Sequence, residues 1–299
     1  MHVNYFKLIP KSFIPIQLRK LSDIPSYLKA LSTSVKEVVF DVRHPSEVAF
    51  LGLNRPRYKN ALGKDLVHDF EKAVRHLHES KDIRCVIIGS LVPNIFCAGA
   101  DLKERKLMPE NELENFVRNA RNLFQLVAEI PIPTICAIDG PALGGGLELA
   151  LACDLRYASD NTSMGLVETR LAIIPGAGGT QRLSRLVGVA KAKELIFTAR
   201  TVTGKEAAQI GIVNCSVEQN TTGNAALLHS FDVAQMISEN GPIGVKMAKA
   251  AITQGIALAS IKEGLLVEEK CYAQIIPTSD RLEGLNAFKE KRKPKYEGK

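Results

Sequence analysis

Residues 134–158 read TICAIDGPALGGGLELALACDLRYA, and this stretch decides the fold. Thr134–Ile138 is a short, largely β-branched apolar run, the pattern of a buried strand. Gly144, Gly145 and Gly146 then form a corner. Leu147, Glu148, Leu149, Ala150, Leu151 and Ala152 follow at once, and all are good helix formers. Leu155–Ala158 is strand-like again. Strand, glycine corner, helix and strand in close succession predict parallel pairing and an α/β architecture.

The same alternation extends outward in both directions. Val38–Val42 and Val48–Leu53 flank a turn at His44, Pro45 and Ser46, which predicts a hairpin. Leu62, Leu66, Phe70, Ala73, Val74 and Leu77 recur every three or four residues, the spacing of an amphipathic helix. Cys85–Gly89 is a short buried strand, and residues 110–129 are helical. Beyond about residue 178 helices dominate, at 179–187, 189–199, 204–210, 225–239, 242–254, 258–275 and 278–291. Thr203 and Glu206 have the spacing of a capping box, and Thr278 opens another helix. The chain therefore divides into residues 1–35, an α/β core at 36–225 and a helical region at 226–299.

Composition narrows the function classes. With 45% hydrophobic and 24% charged residues, the chain is globular, neither disordered nor collagen-like. The absence of Trp disfavours a base-stacking platform for nucleic acid. The net charge of +7 sits at the ends: residues 1–35 carry +4, residues 289–299 carry +4, and the body carries about −1. Residues 1–35 are basic and Ser-containing, with Asp23 as the only acid, which predicts a mitochondrial transit peptide; the alternative is a basic tail with no address. The longest apolar region, Ile130–Leu151, is broken by Asp139, Glu148, Gly and Pro and does not read as a membrane span. Cys85, Cys97, Cys136, Cys153, Cys215 and Cys271 form no CxxC pair and read as reduced thiols, most of them buried, with no metal site.

G-x-S-x-G, H-E-x-x-H, P-loop and G-x-G-x-x-G motifs are absent. What remains is three glycine corners and two glutamates. Phe96–Leu102 ends a buried strand in small residues, which let a ligand approach the backbone. Gly144–Glu148 places free N–H groups at a helix N-terminus, suited to an anionic oxygen. Two such corners, each supplying one N–H, would make an oxyanion hole. Glu148 lies in an apolar helix and Glu168 precedes the third corner, Leu171–Thr180. Either could be a structural carboxylate, but two of them beside an anion-stabilising corner suit a divided acid and base.

These residues carry a resemblance. Phe96–Leu102, Ala142–Ala150, Cys153-Asp154 and Glu168 with Ile174–Leu183 resemble the enoyl-CoA hydratase/isomerase (crotonase) superfamily over about residues 36–299. The resemblance implies a crotonase fold of repeated ββα units, with C-terminal helices that build trimers, often paired into hexamers. It implies an oxyanion hole from the N–H groups of Ala100 and Gly145, with Glu148 as base on water and Glu168 as proton donor to Cα. Water would then add syn across the double bond of an enoyl-CoA. Contacts to the CoA substrate are implied for Ala98, Asp101, Leu102, Gly176, Phe288 and Lys291, with Gly176 at a helix N-terminus near the carbonyl. No separate cofactor and no metal are implied, coenzyme A being part of the substrate. Asp101–Arg105, Met164–Thr169, Lys193–Phe197, Cys271–Gln274 and Arg281–Gly284 with Ala287–Arg292 resemble, more narrowly, a mitochondrial branch that hydrates 3-methylglutaconyl-CoA to 3-hydroxy-3-methylglutaryl-CoA in leucine degradation. Broader short-chain enoyl-CoA hydration is the alternative. The cation that would meet the distal carboxylate is not legible.

That branch also includes an RNA-binding member, which makes RNA a rival partner. The corresponding face here carries Lys64, His68 and Lys72 at i, i+4 and i+8. The RNA-binding relative has lysine at all three positions. The intervening Asp65, Asp69 and Glu71 favour an ordinary solvated face.

Overall fold

The hairpin forms because two runs of β-branched and aromatic residues alternate in register. A computed structural model of the protein describes residues 36–43 and 47–299. In it, β1 (Val38–Arg43) pairs antiparallel with β2 (Val48–Leu53), Phe40 opposite Leu51. The proposed transit segment 1–35 and the turn residues His44, Pro45 and Ser46 lie outside the described residues. The later strands are β3 (Cys85–Ser90), β4 (Thr134–Ile138), β5 (Ala142–Leu143), β6 (Leu155–Ser159), β7 (Ser163–Gly165), β8 (Val202–Thr203) and β9 (Cys215–Val217). They form a six-stranded sheet of order β1-β2-β3-β4-β6-β9, parallel from β2 onward, and a small sheet of order β5-β7-β8.

The helices among the described residues are α1 (Lys64–Glu79), α2 (Leu102–Lys106), α3 (Glu110–Ala128), α4 (Gly145–Ala152), α5 (Gly179–Val187), α6 (Val189–Thr198), α7 (Gly204–Gln209), α8 (Ala225–Ser238), α9 (Pro242–Gly255), α10 (Ile261–Ile275) and α11 (Ser279–Glu290). Strand alternation sends the two halves of each strand's side chains to opposite cores. Leu51, Leu53, Val86, Ile88, Cys136 and Ile138 pack with Leu66, Phe70 and Val74 of α1 and Leu123 and Phe124 of α3. Phe50, Cys85, Ile87, Ile135 and Ala137 face the other way and are covered by Leu227, Phe231 and Ala234 of α8.

Two details depart from the sequence reading. The division at 225/226 falls inside α8, and α8 is a layer of the core, because its apolar stripe is what covers the second sheet face. The box expected at Thr203 is only half made: Thr203 accepts from the Glu206 N–H at 3.2 Å, but the Glu206 carboxylate turns to Arg200 at 2.7 Å. Arg200 offers it a charged donor. The complete capping box belongs to Ser260 and Glu263.

The helical region beyond α8 is tied to the core at a half-buried ion pair. Lys249 of α9 donates to Asp154 at 2.7 Å and to the carbonyl of Ile132 at 3.0 Å. Asp154 in turn accepts from the N–H and hydroxyl of Thr134, at the start of β4. Among the described residues no helix is long and apolar enough to cross a membrane, and all six cysteines are free thiols, five of them buried.

Candidate active site

Because β3 and β4 run parallel, the loops leaving their C-terminal ends emerge at one edge of the sheet, the usual place for a ligand in such sheets. The loop after β3 carries the first glycine corner and the loop after β4 the second. Backbone pairing fastens them together: Cys97 N–H donates to Pro141 and Leu143 N–H to Cys97, both at 3.0 Å. On its other side the first corner is held by residues 59–62. Leu62 N–H donates to Gly99 at 2.7 Å and Asp101 N–H to Leu62 at 3.3 Å, so Leu62 brackets Ala100.

This close approach explains two glycines. Gly99 has φ +93°, and a Cβ there would lie 2.7 Å from the Leu143 carbonyl oxygen. A Cβ on Gly146 would lie 2.8 Å from the Cys97 Cβ and nearer still to the Cys97 carbonyl. Gly146→Ala is therefore expected to destabilise the protein by ~1–3 kcal/mol, as overpacking does, and the loss will appear as a lower urea midpoint at unchanged slope.

The result is a pair of backbone donors. A Cβ on Gly145 would lie 3.9 Å from the Ala100 nitrogen, which places the two residues side by side. Among the described residues, neither the Ala100 N–H nor the Gly145 N–H donates to a protein acceptor. Gly145 is the first residue of α4, so its N–H is unused by the helix and lies at the positive end.

The two glutamates flank these corners. Glu148 is one turn into α4 and only 3% exposed. Its Oε1 accepts from the N–H groups of Ala177 and Gly179, both at 2.8 Å. The third glycine corner is thus committed to Glu148. The helix itself starts at Gly179, three residues beyond Gly176, and the Gly179 N–H at its start serves the Glu148 carboxylate. Gly176 instead accepts from Arg121 through its carbonyl, at 2.8 Å.

Glu168 opens a 3-10 turn, Glu168–Leu171, and reaches beneath the second corner, where a Cβ on Gly144 would lie 3.2 Å from its Oε1. Its Oε2 is buried and has no hydrogen-bond partner among the described residues. Burial pushes both carboxyls up. For Glu148, the two amide donors and the guanidinium groups of Arg182 and Arg105 pull it back toward ionisation. Glu168 is pushed up to about 7, first by burial and then by the charge of Glu148, which outweigh its own backbone N–H and Arg105. One carboxylate clamped by donors beside one with an unpartnered oxygen is an arrangement that can take a proton at one group and deliver it from the other.

Two arginines complete the site and were not singled out from sequence. Arg182 of α5 donates to the carbonyl of Ala177 at 3.1 Å and to Gln125 at 2.9 Å, bracing the loop that holds Glu148. Arg105 of α2 lies over the Phe116 ring at 5.6 Å, its charge acts on both glutamates, and its Nε is buried and unpartnered among the described residues. Burial lowers its pKa, opposed by the charges of Glu148 and Glu168. In sequence it sits in Leu-Lys-Glu-Arg-Lys, a short charged run indistinguishable from a solvated turn.

The other residues named from sequence are dispersed. Ala98 is exposed, and its N–H is used on Lys59 at 3.1 Å. Asp101 is buried and fully engaged: it pairs with Arg55 at 2.8 Å and caps α2 through the N–H groups of Lys103 and Glu104. Its carboxylate is thus engaged within the protein. Leu102 is exposed beside it. Phe288 is 87% exposed, and Lys291 ends α11 in the left-handed region at φ 55°. Among the described residues neither bonds to any group of the glutamate site. Lys64, His68 and Lys72 do share an exposed face of α1, but Lys64 pairs with Glu112 and Lys72 with Asp69. No cluster of three or more metal-ligating side chains occurs among the described residues.

Comparison with known proteins bears directly on this geometry. The family described as enoyl-CoA hydratase/isomerase matches residues 43–299. A human protein named methylglutaconyl-CoA hydratase, mitochondrial, is 51% identical over 279 residues, covering 92% of this chain and 82% of its own length. Mouse enoyl-CoA hydratase domain-containing protein 2, mitochondrial, is also 51% identical, covering 83% of each chain. Among solved structures, an enoyl-CoA hydratase from Bacillus anthracis superposes with a TM-score of 0.84 at 44% identity, covering 88% of this chain and 100% of its own.

Proposed function

The chain belongs to the enoyl-CoA hydratase/isomerase family, and on that premise we propose that it is a hydro-lyase adding water across the α,β double bond of 3-methylglutaconyl-CoA. The observation that carries this reading is the buried Glu148 and the half-buried Glu168 flanking two unused backbone N–H groups. The thioester carbonyl sits between Ala100 N–H and Gly145 N–H, which stabilise the negative charge that develops on its oxygen. Glu148, ionised and held by Ala177 and Gly179, takes a proton from water as its oxygen attacks Cβ. Glu168, protonated, delivers its proton to Cα. One face of the double bond receives both groups, the syn outcome. No cofactor or metal takes part; coenzyme A belongs to the substrate.

Arg105 supports the branched, carboxylate-bearing substrate. It is a half-buried cation whose charge acts on both glutamates, and its Nε is unpartnered among the described residues. A guanidinium held there suits a distal carboxylate. The test is a spectrophotometric assay of the wild-type protein on 3-methylglutaconyl-CoA and crotonyl-CoA. A kcat/KM at least about tenfold higher on the former is expected, a difference of about 1.4 kcal/mol. Equal or lower activity on it would assign the protein to general short-chain hydration instead.

The mitochondrion is the proposed location, supported by the relatives' names and by the basic, Ser-containing composition of residues 1–35. A homotrimer or hexamer is the proposed assembly, supported by the apolar side chains that α9, α10 and α11 leave exposed, among them Ile252, Ile261 and Phe288. RNA binding has no comparable support, since Lys64 and Lys72 are each paired within the chain.

A further inference from the structure

Arg55 lies outside the glutamate site, yet it clips together the two strands of chain that bracket Ala100. Its side chain is 13% exposed, and its guanidinium makes three bonds. Nε donates to Glu37 at 2.9 Å, and Nη1 donates to the Ala61 carbonyl at 2.9 Å and to Asp101 Oδ2 at 2.8 Å. The flat face of the guanidinium lies over the Tyr58 ring at 4.0 Å. Ala61 precedes Leu62, which bonds to Gly99 and Asp101 on either side of Ala100. Asp101 follows Ala100, and its other oxygen caps α2, the helix that carries Arg105. One cation thus fixes both neighbours of the peptide unit that presents the Ala100 N–H.

The backbone N–H of Arg55 adds to the same frame. It donates to the Asn60 side chain at 2.7 Å, and Asn60 in turn donates to the carbonyl of Phe96 at 2.9 Å, at the start of the first corner. A carboxylate could be held there by any cation. A rigid fork that reaches Glu37 from Nε while Nη1 holds both the Ala61 carbonyl and Asp101 needs arginine.

We propose that Arg55, acting through Asp101, is a positioning residue that aims the Ala100 N–H at the substrate carbonyl. This rests on the oxyanion reading given under the proposed function. A backbone donor does its work only at the position where charge develops, so a displacement of about 1 Å is enough to cost on the order of 10²-fold in rate. Substrate binding through the rest of the CoA moiety is untouched by that displacement. The loss belongs in kcat, not in KM.

The test uses the full chain as wild type, Arg55→Lys, Arg55→Met and Asp101→Asn. Each is assayed for crotonyl-CoA hydration, and each is bound to butyryl-CoA carrying a 13C-labelled carbonyl, whose stretching frequency is read by infrared difference spectroscopy. In wild type the frequency falls on binding. In the variants that fall shrinks, kcat drops about 10- to 100-fold and KM stays within about threefold. Asp101→Asn keeps the size and the capping acceptor, so the outcome does not depend on the methionine variant folding. Variants that keep the full carbonyl shift and the wild-type kcat, however far their melting temperatures fall, would make Arg55 a purely structural clip and overturn the proposal. No carbonyl shift in wild type is a different failure: it would sink the oxyanion reading itself.

Discussion

Glu148→Gln and Glu168→Gln are each expected to lower kcat for hydration by about 10²- to 10⁴-fold, the usual contribution of a positioned acid or base. Glutamine keeps an oxygen that can still accept from Ala177 and Gly179, so Glu148→Gln removes the base while sparing the loop. Full activity in both variants would refute the assignment. The pH profile adds a sharper check. On the proposed mechanism the working state carries one proton on the pair, held by Glu168, whose carboxyl is pushed up to about 7. Hydration kcat/KM is therefore expected to fall as pH rises through about 7, when that proton is lost. The apparent value belongs to the pair, since the two carboxylates feel each other's charge. The same shift has a stability sign. A carboxyl raised on folding contributes stability that is present below its unfolded value and lost as pH rises through about 7. Glu168→Gln should flatten that part of the stability curve, which a melting series across pH 4 to 8 will read.

The second large effect concerns Arg105. Arg105→Met is expected to lower kcat/KM for 3-methylglutaconyl-CoA by about 10²- to 10³-fold, the scale of losing one partner of a buried charge pair. The loss on crotonyl-CoA, which has no distal carboxylate, is expected to stay within about tenfold, because removing the cation still disturbs Glu148 and Glu168. The ratio between the two substrates isolates the carboxylate contact. Equal losses on both would mean that Arg105 tunes only the glutamates, and would leave the distal carboxylate to another group.

Much of this site was legible because its signals are local. The corner at Gly144–Gly146 and the helix Gly145–Ala152 follow from conformational freedom and helix propensity, both properties of neighbours in sequence. Glu148 stood out because a lone charge in an apolar helix needs a reason. The use of the Ala177 and Gly179 N–H groups by Glu148 was not legible, since an empty helix start and one serving a carboxylate look alike in sequence. The ion pair of Asp101 was hidden for the same reason: nothing near it announces that Arg55 arrives from 46 residues away.

By itself, then, the sequence determined the α/β alternation, the two glycine corners and the two carboxylates, because strand period, glycine geometry and the cost of a buried charge act over a few residues. Only the tertiary structure decided which donors meet which acceptors. It brought Arg105 to both glutamates, set Arg55 beside Ala100 and gave the third corner to Glu148. Those outcomes depend on desolvation and on contacts between segments far apart in the chain, and a charged residue carries the same local pattern whether water or a buried partner awaits it.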